Sequence, residues 1–203
     1  MSFPIQFARA LAPVAIVAAA TAPAAAQAND MAMVRSHLSS VQSMTANFTQ
    51  TDARGRSASG TLQLKKPGRI RFQYGSGDLL LVANGKTLTF IDYLVGQKSS
   101  WPLGKTPLGV LLSGTPDLKG RAQLMKSQDP NVVVVRARDP VQFGSLVLAF
   151  LRTPSAPGGL KLYGWTAIDA QNKRTTVKLS NQRYNVAVPE SAFRYAEPKK
   201  KGR

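Results

Sequence analysis

The chain has 203 residues, a formal net charge of +17, no cysteine and 43% hydrophobic residues. That length suits one domain with a core of its own, and the missing cysteines exclude a disulfide framework or thiolate metal site. The charge by itself points to a polyanionic partner.

The first residues change that expectation. "MSFPIQFARALAPVAIVAAATAPAAAQA" places one cation, Arg9, before an apolar stretch from Ala10 to Ala22 and a run of small residues. This is the pattern of an export signal, with cleavage expected after Ala28. The apolar stretch falls short of the roughly 20 residues a membrane-spanning helix needs. Residues 1–28 are therefore expected to be a cleaved signal peptide, residues 29–196 a single domain, and residues 197–203 a basic, disordered tail. Export removes intracellular DNA and RNA as partners and leaves anionic membrane surfaces and acidic proteins.

In the domain, "NDMAMVRSHLSSVQSM" predicts a helix capped by Asn29 or Asp30, with Met31, Val34, Leu38 and Val41 on one stripe and Arg35, His37 and Gln42 off it. From Thr45 the period becomes two. "SGTLQLKK" sets Gly60, Leu62 and Leu64 on one face, and "RIRFQY" sets Ile70, Phe72 and Tyr74 opposite Arg69 and Arg71. Asn84-Gly85, between two apolar runs, predicts a hairpin. "GQKSSW" extends the series. "TPLGVLLSG" reads as a short helix to Ser113, with Thr106 as cap and Pro107 in its first turn. "NVVVVRAR", "GSLVLAFLR", "LKLYGWTAID" and "RTTVKLSNQ" add four strands. The total is near ten strands with short connections, hence a large curved antiparallel sheet or an open barrel with helices over its concave side. The alternation does not choose between these.

No catalytic constellation accompanies the strands. His37 is the only histidine and is expected on the exposed side of its helix, which excludes zinc and haem ligation. Asp52, Asp78, Asp117, Asp129 and Asp139 stand beside turn formers. Neither a nucleophile elbow nor a phosphate-binding glycine loop is present. The chain is read as a non-enzyme with no cofactor and no metal.

Several segments, in order, resemble the LolA family of periplasmic lipoprotein carriers. "SMTANFTQ" is similar to the family's helix-to-strand junction, and "GTLQLKKPGRIRFQY" to its strand pair around a basic-basic-Pro turn. "LLLVANGKTLTFID" is similar to its (D/N)-G-K hairpin, "TPLGVLL" to its TP helix, and "LYGWTAIDAQNKRTTVKLSN" with "VPESAFRY" to its closing segments. The resemblance implies a mainly β (α+β) fold: an open half-barrel covered by an N-terminal helix and a short central lid helix around an apolar cavity. It implies a monomeric carrier that takes acylated outer-membrane lipoproteins from an inner-membrane lipoprotein-releasing transporter toward the outer membrane or a receiver there. Contact with anionic membrane surface would be transient.

On that reading the cavity candidates are Leu62, Leu64, Ile70, Phe72, Leu88 and Phe90, faced by Leu108, Leu111 and Leu112 of the lid. An ordinary dry core is the alternative for each. Trp101, Tyr163 and Trp165 line the rim or pack outside. The family has a functional arginine before the proline of its turn; here Lys66 holds that position, and Arg69 or Arg71 could stand in as the lid latch. A lipid- or lipoprotein-sensing regulatory module of the same architecture is the alternative function, and a hydrolase a more remote one.

Overall fold

The computed structural model describes residues 22–75, 77–106, 108–114, 118, 122–138, 144–169 and 171–199. Most of the expected signal peptide, and residues 200–203 of the expected tail, lie outside them.

Helix α1 spans Ala22–Ser40. It starts earlier than the expected Asn29 because the alanine-rich stretch before that residue has high helix propensity. Asn29 and Asp30 are thus interior residues, not caps. Six strands follow as a meander: β1 (Ser43–Thr51), β2 (Ser57–Lys65), β3 (Arg69–Tyr74), β4 (Leu79–Asn84), β5 (Thr87–Asp92) and β6 (Gln97–Pro102). A 3-10 turn at Leu103–Lys105 and the four-residue helix α2 (Gly109–Leu112) lead to β7 (Ala122–Met125), β8 (Val132–Arg138), β9 (Ser145–Arg152), β10 (Leu160–Ile168) and β11 (Arg174–Tyr184).

The strands form one sheet in the order β6-β5-β4-β3-β2-β1-β11-β10-β9-β8-β7, with antiparallel neighbours throughout. The second meander returns β11 alongside β1, so the chain's two halves join at the middle of the sheet. Strands β6 and β7 remain as edges, and the half-barrel is open. The Asn84 carboxamide accepts from the amides of Lys86 and Thr87, closing the predicted β4–β5 hairpin. Strand β7 was not predicted.

Alternation decides which side chains go in. Leu62 and Leu64 on β2, Ile70 and Phe72 on β3, Val133 and Val135 on β8, and Leu146, Leu148 and Phe150 on β9 share one apolar cluster with Val34 and Leu38 of α1. Phe48 anchors it, its ring edge-on to Phe72 at 5.1 Å and to Tyr74 at 5.0 Å. Burying each such side chain is worth about 1.5–3 kcal/mol, so this inner face holds the sheet and α1 together. A second, smaller cluster lies on the outer face. There Leu80, Val82 and Ile91 pack against Val188 and Phe193 of the C-terminal segment.

Candidate functional site

The inner face is largely apolar, and two helices, α1 and the four-residue α2, cover it. Leu62, Leu64, Ile70, Phe72 and Leu88 are buried there, together with Leu111 and Leu112 of α2. Leu108 is half-buried against the same cluster. Phe90 shares the face of Leu88 but stays half-buried. Leu103, Leu118, Leu146, Leu148, Phe150 and Trp165 also belong to the cluster and were not among the candidates. The alternation of "GSLVLAFLR" was the available signal for three of them. Of the three undecided aromatics, Trp165 is buried, whereas Trp101 and Tyr163 are exposed.

The cover over this face is small. Helix α2 has no side-chain cap, and Thr106, expected to cap it, instead donates its hydroxyl to the Leu103 carbonyl at 2.8 Å. The last carbonyl of α2, that of Leu112, accepts from the Gly68 amide at 2.9 Å. Gly68 sits at φ +73 in the turn after Pro67, and a Cβ there would lie 2.6 Å from the Gly85 Cα. Only glycine lets these two turns and the lid meet.

Helix α1 is tied down more firmly. The Asp30 carboxylate pairs with Arg152 at 2.6 Å. His37, expected on the exposed side, is instead 2% exposed, with Nδ1 2.8 Å from the Pro157 carbonyl. A carbonyl can only accept, so this nitrogen carries the proton. Phe150 and Tyr184 stand edge-on to the ring at 5.3 and 5.5 Å. Burial pushes the imidazole pKa below its usual value and Lys66 adds to that, against the opposing pull of the Pro157 and Leu160 carbonyls. The burial of His37 comes from a segment distant in sequence. The Pro157–Gly159 turn packs on α1 beside the apolar stripe and widens the buried face.

Lys66 lies under the end of α1. Its ammonium donates to the Leu38 carbonyl, and burial lowers its pKa to about 8. Arg69 and Arg71 are turned the other way, which corrects their place as alternative latches. Arg69 pairs with Glu190 at 2.9 Å, and Arg71 donates to the carbonyls of Ala192 and Arg194 at 3.2 and 3.0 Å. The reason is parity: with Ile70 and Phe72 facing in, the intervening arginines must face out. Glu197, expected to begin a free tail, pairs with Lys98.

Such a chain falls in the class of open half-barrels that shelter an apolar inner face beneath helices. Residues 39–196 match the family described as outer membrane lipoprotein carrier protein LolA. An outer-membrane lipoprotein carrier protein of Chromobacterium violaceum is 27% identical over 197 residues, covering 91% of each chain. One from Sodalis glossinidius is 29% identical over 191 residues, covering 89% of this chain and 90% of the relative. Among solved structures, a LolA superfamily protein from Nitrosomonas europaea aligns over 82% of this chain and 97% of that one, with TM-score 0.47 and 11% identity. The chain belongs to the LolA family.

Proposed function

We propose that this protein is a periplasmic carrier that binds the acyl chains of outer-membrane lipoproteins between the inner face of its half-barrel and the two helical covers. It takes them from an inner-membrane transporter and delivers them to the outer membrane. The working unit is a monomer spanning residues 29–196, after loss of a signal peptide at residues 1–28.

The reading is driven by energetics. An acyl chain gains roughly 0.8 kcal/mol per buried methylene, so a chain of about 15 carbons in water forgoes on the order of 12 kcal/mol. A lipoprotein with several such chains needs an escort that offers comparable apolar area and then gives it up. One observation carries the assignment: the apolar face is covered on one side by a single helical turn, α2, tied to the sheet through the Gly68–Leu112 backbone bond. Apolar side chains of Leu111 and Leu112 hold it down, and an acyl chain offers the same kind of surface in exchange. Low-stability elements of this sort open locally while the sheet stays folded. The chemistry is binding and release, with no catalytic step.

The test uses spheroplasts. Added mature protein is expected to release newly made lipoproteins from the inner membrane as soluble one-to-one complexes. Lipoproteins that stay membrane-bound in its presence would contradict the reading.

A further inference from the structure

The helical cover does not reach one end of the inner face. Leu88 of β5 is buried, but Trp101, directly opposite on β6, is 47% exposed. Phe90 faces Leu81 of β4, and Leu79 follows Leu81 on the same face. Beyond the strand, Leu94 is 56% exposed. With Ala58, Tyr74 and Leu79 it lines an open hollow of about 280 Å³ at the far rim. Trp101, Phe90, Leu81, Leu79 and Leu94 thus make an apolar strip that begins beside the lid and runs out to the edge of the half-barrel. Large exposed apolar side chains gathered in this way mark a binding surface more often than scattered single ones do.

We propose that this strip is a docking groove for one long-chain acyl group, occupied while α1 and α2 remain in place. The proposal rests on the carrier reading above and adds a second, open site to the covered one. Three observations select an acyl chain as occupant. The strip is continuous with the covered face, since Leu88 belongs to the main cluster and Leu79 and Leu81 pack against it. From Leu88 to Asp92 the strand runs four residues, about 13 Å at the usual rise, and the turn that bears Leu94 carries the strip further, enough for much of an extended long-chain acyl group. Of the two acids at this end, Asp92 already accepts from the amides of Leu94 and Val95, so its carboxylate is committed to the turn, and Asp78 lines the hollow beside Leu79 and Leu94. A substrate with more than one acyl chain could then leave one in the strip while another lies beneath the lid.

The chain carries its own reporter. Trp165 is 4% exposed and Trp101 is the other tryptophan, so Trp165→Phe leaves Trp101 as the single fluorophore. This variant and the wild type are titrated with a synthetic tripalmitoylated lipopeptide and with the same peptide lacking acyl chains. Co-elution on gel filtration is the independent measure of binding. The expected result is co-elution of the lipopeptide, a blue shift of Trp101 emission, and about tenfold weaker binding by Leu94→Asp. Leu94 is exposed at a turn, so its replacement leaves folding intact and makes the test independent of Trp165→Phe. Co-elution with no Trp101 shift and no loss in Leu94→Asp overturns the strip and leaves the carrier reading standing. No co-elution at all overturns both. An equal shift with the unacylated peptide assigns the strip to peptide pairing along the free edge of β6, which also overturns the proposal.

Discussion

The Lys66 ammonium donates to the Leu38 carbonyl in the last turn of α1, joining the turn after β2 to the helix that covers the sheet. The final carbonyls of a helix have no partner within it and form the negative end of its dipole. A cation there satisfies an acceptor that burial would otherwise leave costly. Lysine supplies a point charge and three rotatable donors, where an arginine would supply a planar fork.

This contact predicts an alkaline stability profile. The folded pKa of Lys66, about 8, lies below the 10.5 of a free lysine. Between those values the unfolded chain binds more protons than the folded one, so stability rises with pH. The urea midpoint should increase from pH 7.5 to pH 9.5 in the wild type and stay level in Lys66→Met. An unchanged rise in the variant would place its origin elsewhere.

His37 gives the complementary effect on the acid side. Its folded pKa is lowered, so the unfolded chain protonates first as pH falls below about 6.5, and stability is lost. Wild-type protein should lose stability between pH 7 and 5.5, and α1 should become more accessible to protease. His37→Gln keeps a donor for Pro157 but does not titrate, so it should flatten both trends. Parallel wild-type and variant profiles would contradict this.

Gly158 fixes how closely α1 approaches the sheet. It sits at φ +66, and a Cβ there would lie 2.4 Å from the His37 amide nitrogen. Gly158→Ala should cost about 1–3 kcal/mol, read as a lowered urea midpoint, with α1 digested earlier than the strands. Wild-type stability would mean that the helix and turn separate readily.

Much of this fold could be read from alternation. Leu62, Leu64, Ile70 and Phe72 announce their face because a half-buried strand must repeat every two residues, and Asn84-Gly85 announces its turn. The four-residue β7 is too short for a period to show. The start of α1 lies in an alanine-rich stretch that reads as leader, and His37 was misplaced because its burial depends on a turn 120 residues away in sequence. Arg69 and Arg71 were assigned a role by their nearness to Lys66, although their own alternation already sent them to the outer face.

On that outer face, the C-terminal segment works as a strap. Phe193 is buried with Leu80, Val82 and Ile91, and Lys65, Arg69 and Arg71 hold residues around it. Exposed ion pairs contribute little, so the ring carries most of the effect. Phe193→Ala should cost about 3–5 kcal/mol in urea denaturation and leave lipopeptide binding at the inner face intact. Loss of binding with unchanged stability would tie the strap to the inner face instead.

The central claim is that the inner face carries acyl chains, and the direct measurement is the mass spectrum of what leaves the periplasm with the protein. Mature wild-type protein, purified from the periplasm without detergent, should bring acylated lipoproteins with it. A folded Phe72→Glu variant, with a carboxylate in the middle of that face, should bring none. Equal recovery of acylated material by both proteins, or none with the wild type, would contradict the account.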